Sequence, residues 1–113
     1  MEAVKAVDID QSGRFKYILI KVSDKSSNQT KLIVRGYGDC EWHADIFDRT
    51  ETQLKQYALD CLGGGRIEHY PDSKLIKIYG HSTGYGRADH AKSREVVQNA
   101  YPAYQIEISN DGY

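Results

Sequence analysis

His43, in the stretch Glu41 to Asp48 that reads EWHADIFD, could pack, bind a metal or do proton chemistry, and a lone histidine beside a tryptophan is more often structural. An imidazole exchanges its proton near neutral pH. Held at a helix N-terminus it would be kept neutral, as a base or a nucleophile must be. The same histidine, beside Trp42, also suits simple packing. Metal binding suggests itself from Glu41, Asp45 and Asp48 nearby. However, His43, His69, His81 and His90 show neither H-x-x-x-H nor H-x-H spacing, so no metal site is predicted.

Two cations and two glycine-bearing segments could serve an anion. Lys16 and Arg35 each interrupt an apolar run, where a charge is costly without a partner. If the two runs pair with Val22 opposite Lys31, both cations fall on one face. Otherwise they are strand-end residues whose heads reach water. The run LGGGRI, Leu62 to Ile67, reads either as a bulged strand approached closely by other backbone or as an anion loop. It lacks the lysine and hydroxyl residue of a P-loop. HSTGYG, His81 to Gly86, lies between a strand and a helix, where free N–H groups favour phosphate. An ordinary polar loop would look the same.

The elements that must position these groups are readable from periodicity. Arg14 to Asp24 and Lys31 to Gly38 are rich in aromatic and β-branched residues and flank the polar KSSNQT, which predicts two antiparallel neighbours. Ile18-Leu19-Ile20 and Leu32-Ile33-Val34 are unbroken apolar triplets, so these strands should be covered on both faces. From His43 the apolar spacing changes to three or four through Phe47, Thr50 and Leu54, predicting a helix to about Gln56. Pro71-Asp72-Ser73 is a turn between ALDCLGGGRIEHY and KLIKIYGHS, a second hairpin. A further helix follows around Ala91 to Tyr101, with Asp89 or Ser93 as cap and Pro102 beyond its end, and YQIEIS closes as a strand. The pattern predicts one α+β domain over residues 1–113, a mixed, about six-stranded sheet with one helix on each face.

Composition narrows the function. Fifteen basic residues against 16 acidic ones, dispersed along 113 residues, leave no basic stripe for nucleic acid. Cys40 and Cys61 form no C-x-x-C pair and read as reduced thiols, with one disulfide between them as the alternative. No stretch approaches the ~18 apolar residues of a membrane span, and MEAVKAVDID lacks the features of a signal peptide. A cytoplasmic monomer is the expectation.

Taken together, GRFKYILIKV, IVRGYG, EWHADIFD, CLGGGRIEH, IYGHSTGYGRADHA and the ending NDGY resemble the small, cofactor-independent protein phosphohistidine phosphatases, also called the Janus family, over essentially the whole chain. The resemblance implies a six-stranded mixed sheet between two helices and hydrolysis of the P–N bond of phosphohistidine in proteins, with phospholysine as a further substrate. It assigns the catalytic role to His43, phosphate binding to Lys16, and the anion loop to Ser82, Thr83 and Gly84. Arg35 and Arg66 match site arginines. It implies no cofactor, phosphohistidine-containing proteins and phosphate as partners, and neither nucleic acid nor membrane. The loop departs from the family pattern: His81 stands where members carry tyrosine, Gly84 where they carry alanine, and Arg87 where they carry proline. The segment Thr50 to Asp60 is slightly short. Whether His43 acts as base or nucleophile stays open at this level, as does a binding module that no longer turns over.

Overall fold

In the computed structural model, which describes residues 1–110, the chain forms one mixed sheet with a helix against each face. The strands are β1 (Val7–Ile9), β2 (Gly13–Asp24), β3 (Gln29–Gly36), β4 (Ala58–Tyr70), β5 (Leu75–Tyr79) and β6 (Gln105–Ile108), in spatial order β1-β3-β2-β4-β5-β6. The helices are α1 (His43–Gln53) and α2 (His90–Ala100). The β1–β3 and β5–β6 pairs are parallel, and the central pairs are antiparallel.

The long strand β2 organises both cores, because successive side chains of a strand face opposite ways. Ile18, Ile20 and Val22 pack with Ile33 of β3 and Ile46 of α1. Phe15, Tyr17 and Leu19 pack with Ile67, Ile76, Ile78 and, from α2, Val97. The unbroken apolar triplets therefore mean a strand covered on both sides, as expected. Val22 does lie opposite Lys31, and the register continues to Ile18 opposite Arg35.

Several element limits differ from the sequence reading, and one strand is new. The helix from His43 ends at Gln53 rather than about Gln56, because Leu54 leaves helical dihedrals (φ −121°, ψ 47°) to turn the chain into β4. β3 begins two residues early at Gln29, after Asn28 takes a left-handed turn conformation at φ 57°. β1 was not foreseen: three residues are too few for a periodic signal, and its pairing partner lies 27 positions along the chain, at Val34. The hairpin turn at Pro71–Ser73 and the cap at Asp89, whose Oδ1 accepts the Ala91 and Lys92 amides at 3.1 and 3.3 Å, match expectation. Of the ending NDGY, Asp111 to Tyr113 lie outside the described residues. Among the described residues no helix is long and apolar enough to cross a membrane.

Candidate active site

His43 is the first residue of α1, and its position follows from the local sequence. Asp45 Oδ2 accepts the Trp42 amide at 3.0 Å, which closes the first turn and starts the helix at His43. The imidazole then lies over β4 at Gly64. A Cβ built there would stand 2.8 Å from His43 Cδ2 and 2.8 Å from Tyr17 O, so only glycine admits the ring. The ring is nearly buried, and its Nε2–H donates to Gly65 O at 3.0 Å. That bond leaves Nδ1 as the acceptor nitrogen, without a partner among the described residues. A backbone carbonyl, not Asp45, thus orients the ring. Burial lowers the His43 pKa below 6.5 against the opposing effect of the Gly65 bond, and the charges of Lys16, Arg66 and His81 add to the lowering.

The open side of His43 faces a cavity of about 590 Å³. Lys16 and Arg66 form part of its wall, and they are direct cross-strand partners in the β2–β4 ladder. Like charges set opposite one another repel, so the pair favours an anion between them. Across the cavity stands the segment from Ser82 to Gly84. It is the tip of a tight hairpin closed by Ser82 N–H to Gly86 O (3.1 Å) and Gly86 N–H to Ser82 O (2.8 Å). The hairpin is tied to β4 through Gly64 N–H to Gly86 O and Ala88 N–H to Gly64 O, both 3.0 Å. The same glycine that seats His43 therefore anchors the loop facing it.

Within the loop the donors are unequal. The Ser82 amide is consumed by Gly86, and Ser82 Oγ accepts the Tyr85 amide at 3.2 Å, so Ser82 has only its hydroxyl hydrogen to give. The exposed Thr83 and Gly84 have amides with no hydrogen-bond partner among the described residues. These two N–H groups, the Ser82 hydroxyl and the two cations make a site suited to a tetrahedral oxyanion beside a neutral imidazole.

Arg35 is not brought to this cavity. It shares the α1 face with Lys16 but is nearly buried, and its guanidinium donates to Val34 O (3.0 Å) and Lys5 O (2.8 Å). Its Nε has no partner among the described residues. Burial lowers its pKa, and its fork straps the N-terminal segment to β3 rather than facing an anion. The expectation from the sequence required only that the two cations share a face. They do, but the carbonyls of Val34 and Lys5 hold the Arg35 guanidinium away from the cavity.

The cavity wall also contains Trp42 and Ala44, which the sequence reading had not placed in the site, and His81 and Tyr85 of the candidate loop, to which it had given no role. Trp42 had a usable signal, a large aromatic directly before the candidate histidine, and its side chain is 62% exposed. His81 had one too, as one of the three loop positions that depart from the family pattern.

On the opposite face of the sheet His90 repeats the arrangement of His43. It too is the first residue of its helix, and its Nε2–H donates to a backbone carbonyl, Gly80 O, at 2.8 Å. Its Nδ1 is covered by Tyr17 Oη at 2.7 Å, which also lies 2.8 Å from Ser93 Oγ. Burial lowers the His90 pKa below 6.5 and raises that of Tyr17. A Cβ on Gly65 would fall 2.8 Å from His90 Cε1 and 2.3 Å from Tyr79 O. Adjacent glycines thus admit one histidine from each side of the sheet.

The family model for Janus/Ocnus proteins matches residues 1–105. The sex-regulated protein janus-A of Drosophila pseudoobscura pseudoobscura is 56% identical, across 97% of this chain and 78% of that protein. Janus-A of Drosophila melanogaster is 47% identical, across 100% and 84%. The 14 kDa phosphohistidine phosphatase of Sus scrofa is 46% identical, across 95% and 90%.

Proposed function

The chain belongs to the Janus/Ocnus family, and we propose that it is a protein-histidine phosphatase that hydrolyses the P–N bond of phosphohistidine without a metal. The relative named as a phosphohistidine phosphatase supports this activity at the level of the family. The observation that carries the reading for this chain is the Nδ1 of a neutral His43 facing the same cavity as Lys16 and the Thr83 and Gly84 amides, none of the three nitrogens having a partner among the described residues.

Phosphoryl transfer spreads negative charge over three equatorial oxygens while the attacking and leaving atoms stand in line, so its catalysis is positioning and electrostatics. Lys16 and Arg66 hold those oxygens from the sheet side. The Thr83 and Gly84 amides, with the Ser82 hydroxyl, hold them from the loop. Such donors act in fixed orientation, with no reorganisation as charge develops. His43 Nδ1 takes the proton of the attacking water, and the bond to Gly65 O stabilises the imidazolium that results. Burial and the neighbouring cations keep His43 in the unprotonated form that accepts this proton. Arg35 serves the fold, through the carbonyls of Lys5 and Val34. The substrate is a phosphohistidine side chain of another protein, and the setting is a monomer in the cytoplasm.

The deciding assay offers the purified chain a phosphohistidine peptide beside phosphoserine and phosphotyrosine peptides. Release of phosphate from the first alone is expected, unchanged by EDTA. Binding of the phosphohistidine peptide without turnover would replace the enzyme by a binding module. A quench during turnover with radiolabelled substrate should leave no label on the chain. A stable phosphorylated His43 would instead make it the nucleophile, exchanging one P–N bond for another before hydrolysis.

A further inference from the structure

His81 is the pocket histidine that this hydrolysis leaves without a task. It follows β5 directly after Gly80, is half-buried, and lines the cavity shared by His43, Lys16 and Arg66. No hydrogen bond or ion pair holds its ring among the described residues. Its charge reaches the reacting centre, since it is one of the groups that lower the His43 pKa.

The chemistry of a P–N bond makes a specific demand. An imidazole expelled as an anion is a strong base and a poor leaving group, whereas one protonated on its second ring nitrogen departs neutral. A phosphatase for this bond gains from an acid placed on the leaving side, opposite the base. The ionisable groups facing the cavity can be compared one by one. Arg66 does not give up a proton in a protein. Lys16 is engaged as a cation for the phosphoryl oxygens and is not free to give its proton to the leaving ring. His43 accepts the proton of water in the same step and cannot also donate. The Tyr85 hydroxyl is made a weaker acid by burial. His81 remains, an imidazole lining the cavity, and imidazole is the side chain most often used for general acid–base catalysis. A phosphoryl dianion in the cavity favours the protonated form of an imidazole facing it.

We propose that His81 is the general acid of the reaction, protonating the second ring nitrogen of the substrate's imidazole as the phosphoryl group leaves. The water oxygen bonds to phosphorus, and the P–N bond breaks with its electron pair remaining on nitrogen. The water proton goes to His43 Nδ1, and the His81 proton goes to the departing ring. The products are inorganic phosphate and neutral histidine. His43 returns its extra proton to solvent, and His81 takes one back.

This inference rests on the phosphatase reading, and a leaving-group comparison separates the two. The protein and its His81→Gln and His81→Tyr variants are assayed on a phosphohistidine peptide and on N-phosphoryl nitroimidazole, whose leaving group is stable as an anion and needs no proton. With His81→Gln, kcat on the peptide should fall about 100-fold, the scale of a lost general acid. On the nitroimidazole compound it should change less than about threefold, because no proton transfer is removed there. His81→Tyr should fall between, and each variant should keep a cooperative melt. Equal losses on both compounds would make His81 a binding or structural residue, and no loss would make it a bystander; either result overturns the assignment while leaving the phosphatase reading intact. A wild-type protein that cleaves neither compound overturns that reading and this one together.

Discussion

Two histidines begin two helices on opposite faces of one sheet, and each gives its Nε2–H to a backbone carbonyl, His43 to Gly65 and His90 to Gly80. Burial lowers the pKa of both. They differ at the other nitrogen. His90 Nδ1 is covered by the Tyr17 hydroxyl, with Ser93 behind it, whereas His43 Nδ1 is left to a cavity walled by two cations. A helix start, a carbonyl and a dry setting thus make an imidazole neutral and oriented, but not reactive. Reactivity needs an uncovered nitrogen and somewhere for the developing charge to go. His90 has every hydrogen-bonding position satisfied and serves as a fastening between α2 and the sheet. His43 has the same fastening on one edge and an open face on the other.

The contrast breaks first at His43. His43→Ala should lower phosphohistidine hydrolysis at least ~1000-fold, within the range for a lost proton-transfer group, with a cooperative melt retained. Unchanged turnover would remove the distinction between the two histidines. His90→Ala should do the reverse, costing about 2–4 kcal/mol of stability through a cavity and the unpaired Gly80 carbonyl and Tyr17 hydroxyl. Chemical denaturation would measure that cost, and kcat per folded molecule should change much less than for His43→Ala. Lys16→Ala should raise KM and the phosphate dissociation constant about 10- to 100-fold, the size of a lost charge-assisted bond. Arg35→Met should leave both constants alone and lower only the melting temperature, which separates the cation facing the cavity from the one strapped to the N-terminal segment.

The smallest expected effect is on pH dependence. The acid limb of kcat/KM should lie below pH 6.5, because the proton that silences His43 binds less readily in the folded chain. Stability should move in the same window. With folded pKa values depressed for His43 and His90, the unfolded chain binds more protons below pH 6.5, so folding weakens as pH falls. Thermal melts across that range check the sign. A melting temperature that rose on acidification would mean that neither ring is held neutral.

Much of the framework was legible in the residues. The triplets Ile18-Leu19-Ile20 and Leu32-Ile33-Val34 announced a sheet covered on both sides. The change of spacing at His43 announced α1 at its correct start, since helix and strand periodicity are local properties of the chain. Asp89 as a cap and Pro71-Asp72-Ser73 as a turn are local in the same way. His43, Lys16 and the loop holding Ser82 to Gly84 were candidates from residue type alone, their roles came from resemblance, and the structure gathers them around one cavity. What escaped is non-local. β1 exists only by pairing with Val34. The extent of α1 depended on where β4 had to begin. Arg35 and Lys16 were indistinguishable as sequence, each a cation in an apolar strand, until the carbonyls of Lys5 and Val34 claimed one of them.

By itself, the sequence determined the two-faced sheet, the helix starting at a histidine and the identity of the family, because alternation, helical spacing and motif blocks are written along the chain. Only the tertiary structure decided which histidine nitrogen stays open. The Ser82 amide is consumed by Gly86 while those of Thr83 and Gly84 have no partner among the described residues, and Gly64 and Gly65 each make room for an imidazole on a different face. Those outcomes depend on atoms far apart in sequence competing for the same donors, acceptors and space. Such competition is resolved only when the strands have taken their register.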